Sequence, residues 1–230
     1  MTLEKMQRKS SIIEEGNELL ELVNRSGITP EEIVDGLLSK KLYKPSQKKS
    51  EILFLMDLIK KNGCKNICEI GTYKGGSIIC FLQASPQDAN LVTIDIDVDD
   101  ERRKIIKKFA NKGQRISVIK GSSRRVSTYF RTQIAFKFKK IDFLFIDGDH
   151  RLFGVMNDYV RYSPLVKKGG FIVFHDVNPD SLTKNGIQTA SDVGDVPSFW
   201  QLLSRKQIQS STFIEKSNQD GYGLGILIKE

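Results

Sequence analysis

Two phrases hold the side chains with the most chemistry in them. In "FLFIDGDHR" (143–151) an apolar run ends abruptly in Asp147, Gly148, Asp149 and His150. In "FIVFHDV" (171–177) another ends in His175 and Asp176, so both histidines of the chain close an apolar segment. Grouped carboxylates can hold a divalent cation, and an imidazole with a pKa near ~6.5 can accept a proton at neutral pH. Plain structural uses exist too: Asp149 can cap a following helix and His150 can anchor a loop. If the two apolar runs are neighbouring strands, these five polar groups form a functional cluster at one edge.

A third phrase, "EIGTYKGGS" (69–77), places Glu69 two residues before Gly71, while Asp95 closes the apolar part of "NLVTIDI" (90–96). Glycines in such a turn let a backbone approach a ligand closely, and the helix start offers unpaired N–H groups. The spacing is neither GxGxxG nor GK[ST], which disfavours a dinucleotide and a P-loop. A carboxylate ending the second strand can accept both hydroxyls of a ribose. Acids around a glycine turn suit a ribose-bearing ligand that is itself cationic. S-adenosylmethionine, with its sulfonium and ammonium groups, fits better than a nucleoside triphosphate. On these residues alone a structural turn with incidental acids stays open.

Positioning these groups together requires a parallel sheet. From residue 65 onward, short apolar runs alternate with helix-length segments: strands at 66–71, 90–96, 115–121, 140–147 and 169–176, with helices between them. The segment "DDERRKIIKKFANKG" reads as a helix closed by Gly113, and a helical stretch runs through Phe130. After Trp200, "STFIEKS" and "GLGILIK" pair as an antiparallel hairpin around "NQDGYG". The expectation is an α/β, Rossmann-like doubly wound sheet of seven strands. Residues 1–45 read as a helical extension and 46–230 as the main domain, with Thr29, Pro30 and Glu32 starting one helix through a capping box. The long polar loop 177–195 leaves from the carboxyl edge of the sheet, where open α/β folds bind ligands.

Composition narrows the partners. The 230 residues include 36 Lys and Arg against 28 Asp and Glu, a formal charge of +8. Such an excess could favour an anionic partner, but the basic residues are scattered through 102–108, 124–125 and 136–140, as on solvated faces, which disfavours a nucleic-acid role. No apolar run approaches the ~20 residues of a membrane span, and the charged N-terminus lacks a signal-peptide core; a cytoplasmic location is the default expectation. Cys64, Cys68 and Cys80 have no CxxC spacing and read as buried reduced thiols.

Taken in order, "EIGTYKGGS", "VTIDID", "IKGSS", "FIDGDH", "LVKKGGFIVFHD" and "GDVPSFW" resemble the class I SAM-dependent methyltransferases. More closely they resemble the branch of cephalosporin hydroxylase-like proteins and macrolide sugar O-methyltransferases, over about residues 50 to 230. The resemblance implies that Glu69 and the turn residues Gly71, Thr72, Tyr73, Gly75, Gly76 and Ser77 hold the methionine part of the cofactor. Asp95 would hold the ribose, Ser122 would lie by the adenine, and Asp147 would border the same ligand. Asp97, turned the same way as Asp95 by strand alternation, is the second candidate for the ribose.

In metal-dependent relatives the positions matching Asp147, His175 and Asp176 bind a divalent cation, magnesium or manganese. His175 stands where those relatives carry a carboxylate, and imidazole suits manganese, iron or zinc better than magnesium. The macrolide sugar methyltransferases carry an Asp and a His at the spacing of Asp147 and His150. That implies His150 as general base beside Asp147, with His175 as its rival. The expected activity is methyl transfer to a hydroxyl of a small molecule, a sugar or sugar-bearing metabolite, in a chain free to self-associate. An RNA methyltransferase would need Arg124, Arg125, Lys137, Lys139 and Lys140 to converge on one surface. A SAM-binding protein without catalysis is the third reading.

Overall fold

The structure is a computed structural model that describes residues 3–187, 192–206 and 209–230. Its centre is a seven-stranded sheet: β1 (Asn66–Ile70), β2 (Asn90–Asp95), β3 (Arg115–Lys120), β4 (Ile141–Ile146), β5 (Val166–His175), β6 (Ser210–Phe213) and β7 (Leu224–Ile228). The strand order is β3-β2-β1-β4-β5-β7-β6. The first five strands pair in parallel, and β7 inserts antiparallel between β5 and β6. This is the expected doubly wound sheet with a reversed hairpin. The order turns back at β1 and β4, so the carboxyl ends of β1, β2, β4 and β5 surround one crevice.

Strand periodicity divides the core into two layers. Phe143 and Phe145 of β4 face a cluster with Phe81, Ile52 and Leu55, while Leu144 and Ile146 face one with Tyr162, Phe174 and Trp200. Helices α3 (Lys49–Lys61), α4 (Gly76–Ala84) and α5 (Asp100–Lys108) cover the first side. Helices α6 (Val126–Ala135), α7 (Leu152–Tyr162) and α9 (Val196–Ser204) cover the second, with a short α8 (Ser181–Lys184) in the loop after β5. Helices α1 (Leu3–Val23) and α2 (Pro30–Ser39) send Ile12, Leu19, Ile33, Val34 and Leu37 into the first layer's cluster. The capping box at Thr29 and Glu32 is present, with Pro30 at the first turn of α2. Helices α1 and α2 therefore share a hydrophobic core with the sheet layer behind them.

Three boundaries differ from the sequence expectation. Helix α5 stops at Lys108, because Phe109, 2% exposed, turns into the core. Gly113 instead takes a left-handed φ of 96° in the turn before β3. Helix α6 continues past Phe130 to Ala135, and β5 begins at Val166, with a register shift against β4 between Ile141 and Phe143. In the loop 177–195, residues 188–191 lie outside the described residues. Among the described residues no helix is long and apolar enough to cross a membrane.

Candidate active site

The carboxyl ends of β1, β2, β4 and β5 open onto a cleft of about 810 Å³. At one end lies the glycine turn. Gly71 has φ 102°, and a Cβ there would fall 1.9 Å from the backbone oxygen of Asp147, so only glycine lets β1 and β4 finish side by side. Gly75 and Gly76 face the protein rather than the cleft. A Cβ on Gly76 would lie 2.4 Å from the Tyr43 carbonyl oxygen, and one on Gly75 would lie 2.6 Å from the Ile106 side chain. Their small size packs the first turn of α4 against α5 and the 43–45 segment, whereas sequence reasoning assigned it to ligand approach.

Asp95 lies on the cleft wall and already organises the turn. One carboxylate oxygen accepts the Tyr73 N–H at 2.7 Å and the other accepts the Asp97 N–H at 2.8 Å. Asp97 does not share its orientation: β2 ends at Asp95, alternation stops there, and the Asp97 carboxylate sits on the surface 3.7 Å from Lys120. Tyr73 and Ile96 flank Asp95 on the cleft wall and are exposed. Ser122 also lines the cleft, and its hydroxyl accepts the Arg124 N–H at 3.3 Å.

Glu69 is fully buried beneath the turn and is not on the cleft wall. Its two oxygens accept the hydroxyls of Ser77 and Thr93, and Thr93 in turn pairs with Thr72. Burial lifts its pKa to about 8; the Ser77 and Thr93 hydrogen bonds lower it, and the charges of Asp147 and Asp95 add to the rise. At neutral pH it is largely a neutral acid bracing the turn. Thr72 and Ser77 are buried with it, so among the turn residues it is Gly71 and Tyr73 that line the cleft.

The other end holds the Asp–His cluster, and four of its five expected members meet. His175 Nδ1 lies 3.2 Å from an Asp147 oxygen and 3.2 Å from an Asp176 oxygen, and His150 Nε2 lies 3.4 Å from Asp147 and 3.7 Å from Asp176. Asp176 has φ 59°, a left-handed conformation that turns the chain sharply after β5. The fifth, Asp149, turns away to a two-point ion pair with Arg151, at 2.8 and 2.6 Å, and a looser one with Arg124 at 3.6 Å. It caps no helix by side chain, since α7 begins after Arg151 without a side-chain cap bond.

Charges in this cluster hold one another. Burial alone would raise Asp147, but His175 and His150 outweigh it and hold the carboxyl well below the usual range. Burial pulls His150 down, yet the hydrogen bond and charge of Asp147, with Asp176, lift it to about 9. The same contest raises His175 well above its ordinary value. As the side chains stand, His150 is an imidazolium at neutral pH. That corrects the expectation of an unperturbed, largely neutral base.

Two participants escaped the sequence reading. Glu51 of α3, fully buried, accepts His175 Nε2–H at 3.2 Å, and Gln47 Nε2 donates to Asp147 at 2.5 Å. Glu51 stands one and two helical repeats before Leu55 and Ile59, so a carboxylate on the apolar stripe was the signal available. With Nε2 committed to Glu51, His175 presents Nδ1 to two carboxylate oxygens. That point demands a positive charge, supplied by a proton on Nδ1 or by a cation. One donor atom each from Asp147, His175 and Asp176 lies within 4.8 Å of the others, a mixed oxygen and nitrogen set that fits manganese, iron or zinc better than magnesium.

Residues 68–177 match a family model described as a methyltransferase domain. An uncharacterised protein of Acanthamoeba polyphaga mimivirus is 35% identical over 117 residues, 47% of this chain and 49% of that protein. An Arabidopsis thaliana protein named "Putative caffeoyl-CoA O-methyltransferase" is 32% identical over 123 residues, 53% of this chain and 50% of its own. The chain thus aligns with about half the length of the curated relatives it matches. Among solved structures, a Staphylococcus aureus protein described by the same words superposes with a TM-score of 0.64 at 20% identity, covering 94% of this chain and 99% of that one. A Bacillus cereus O-methyltransferase in complex with SAH does so at 0.60 and 20%, covering 93% and 96%. At such identities the likeness speaks for the fold. With a methyltransferase-domain match across β1 to β5 and that superposition over nearly its whole length, the chain has the fold of these O-methyltransferase structures, and residues 68–177 are similar to a methyltransferase domain.

Proposed function

We propose that the chain transfers a methyl group from S-adenosylmethionine to a hydroxyl of a small molecule, a sugar or sugar-bearing metabolite. The observation carrying this reading is that His150 and the three convergent acceptors share a cleft wall with Asp95. Asp95 is the acceptor for the ribose hydroxyls, and the exposed Tyr73 and Ile96 beside it offer apolar surface to the adenosyl group. Ser122 lies on the same wall, and Glu69, Thr72, Gly75, Gly76 and Ser77 act behind it by fixing the turn.

In the reaction the methyl–sulfur bond breaks as the methyl–oxygen bond forms. The sulfonium becomes a thioether, and the acceptor's proton must leave. The chain has to hold the acceptor oxygen in line with the methyl group. Asp147, His175 and Asp176 would hold a divalent cation, which when bound lowers the pKa of the acceptor hydroxyl. His150 sits within reach of that oxygen's proton and handles it on Nε2. The carboxylates that lift His150 are the same ones that would share their charge with a cation, so its affinity for a proton falls when they do. His175, 2% exposed and with Nε2 held by the buried Glu51, is the poorer base.

Cleft chemistry favours a small molecule over RNA. Asp95, Asp147, Asp149, Asp176, Asp180 and Asp192 all line it, which repels a phosphodiester. Arg124 and Arg125 precede α6 while Lys137, Lys139 and Lys140 follow it, so about 15 Å of helix keeps them from converging. The names of the caffeoyl-CoA relatives favour one second reading, a phenolic hydroxyl as acceptor. Turnover on a panel of sugar and catechol acceptors, with and without exhaustive chelation, tests both. Transfer that disappears on chelation and returns with Mn²⁺, at unchanged cofactor affinity, is the expected result; transfer that survives chelation removes the cation from the reading.

A further inference from the structure

Among the groups that meet the Asp–His cluster, Glu51 lies outside the methyltransferase-domain match and behind the cleft wall. It lies on α3, in a stretch that reads as an ordinary amphipathic helix, and is fully buried. Buried carboxylates are rare without a purpose that repays their desolvation. Three donors reach this one. The Lys48 N–H donates at 2.9 Å and the Gly223 N–H at 2.6 Å, and His175 Nε2 lies 3.2 Å away.

The backbone donors have a consequence for the imidazole. The two N–H groups donate one to each Glu51 oxygen, the surroundings of a carboxylate, and a carboxylate can only accept, so the third partner donates as well. His175 Nε2 therefore carries its hydrogen, and Nδ1 is the nitrogen aimed at Asp147 and Asp176. We propose that Glu51 is a positioning residue for the cation site: it locks the ring and tautomer of His175 so that Nδ1 joins the two carboxylates as a donor. This rests on the cation reading above. Metal-binding histidines commonly give their second N–H to a carboxylate, and losing that partner weakens metal binding roughly 10–100-fold. Gln47 supports Asp147 from the same side, donating its amide N–H to the oxygen that does not face His175.

The anchor spans the fold. Glu51 joins the start of α3 to the residue before β7 and the end of β5, where β5 and β7 already pair at His175 and Leu224. The start of α3 thus reaches the cluster through Glu51 on His175, and Gln47, just ahead of the helix, reaches it through Asp147.

Calorimetric titration of Mn²⁺ into the full chain tests the assignment, with wild type, Glu51→Gln and the surface control Asp57→Asn compared. Glu51→Gln should bind Mn²⁺ 10–100-fold more weakly while affinity for S-adenosylhomocysteine stays within about twofold. Asp57→Asn should match wild type. Equal Mn²⁺ affinity in a folded Glu51→Gln protein overturns the role of Glu51 and leaves the cation reading standing. No saturable binding of Mn²⁺ or Zn²⁺ by wild type overturns both. Should Glu51→Gln fail to fold, imidazole ¹⁵N spectra of the wild type loaded with Zn²⁺ decide instead. Retention of the Nε2 hydrogen of His175 with loss of any Nδ1 hydrogen supports the proposal, and the reverse pattern refutes it.

Discussion

Glu69 and Asp147 end neighbouring parallel strands, β1 and β4, and burial drives both carboxyls toward the neutral form. They finish on opposite sides of neutrality. Glu69 meets only hydroxyls, whose dipoles ease but do not offset desolvation, and its pKa climbs to about 8. Asp147 meets two imidazoles, and their positive charge holds it ionised far below the usual range. Depth of burial is therefore a poor guide to the state of an acid in this cleft; the partner decides. One end of the cleft is a neutral, hydroxyl-bonded brace and the other is a set of mutually stabilised charges.

The largest expected effect comes from breaking the charged end. Asp147→Asn leaves His150 facing Asp176 alone and His175 facing Asp176 and Glu51, and loss of one partner from a buried pair costs about 3–5 kcal/mol. Urea unfolding at pH 7 should show that loss together with abolished transfer. Asp147 stabilises the fold fully above its unfolded pKa of about 3.8 and less as pH falls toward its lowered folded value. The Asn variant should lack that acid limb. Unchanged stability would mean the imidazoles are neutral.

His150→Ala should come next, cutting turnover about 10²–10⁴-fold with cofactor affinity preserved. Near-normal turnover there, paired with a matching loss in His175→Ala, would move proton handling to the buried ring. Asp95→Ala should weaken S-adenosylmethionine binding by roughly ten- to a hundredfold, as loss of charge-assisted hydrogen bonds does. Calorimetry returning wild-type affinity would remove Asp95 from the ribose.

Glu69→Gln should matter least where the acid is neutral in both states, within about 1 kcal/mol near pH 4, because a neutral acid is replaced by a neutral amide that still meets Ser77 and Thr93. The sign of its pH dependence is opposite to that of Asp147. A raised acid contributes fully below its unfolded pKa, near 4.5, and loses that contribution as pH climbs through the folded value of about 8. Glu69→Gln should therefore gain on wild type across that window. A penalty as large as that of Asp147→Asn would show Glu69 ionised and break the contrast.

Much of this was written plainly in the chain. The apolar runs before Asp147 and His175 are strands because their residues alternate between two layers of core, and "GLGILIK" pairs with the start of "STFIEKS" as the expected hairpin, its other edge lying antiparallel on β5. What failed to show was whatever depended on distant contact. Glu51 and His175 are separated by 124 positions, and no local pattern links them. Gly75 and Gly76 read as ligand glycines until α5 and residues 43–45 were seen against them. Burial lowers His150, but the hydrogen bond and charge of Asp147 and then the charge of Asp176 across the strand boundary lift it above the ~6.5 of a free imidazole, and no local pattern showed those contacts. Asp97 was misaimed because alternation was extended one step beyond the strand's end.

The left-handed backbone at Asp176 is held against its own preference by the charges it meets. A side chain at φ 59° is disfavoured by about 1–2 kcal/mol, with aspartate among the residues that bear it best. Glycine would relieve that tension but remove the carboxylate beside His175 and His150, and losing one partner from a buried charged set costs about 3–5 kcal/mol. The ion contacts outweigh the backbone relief, so selection for heat resistance and selection for the proposed transfer would both keep the same carboxylate at this corner of the cleft.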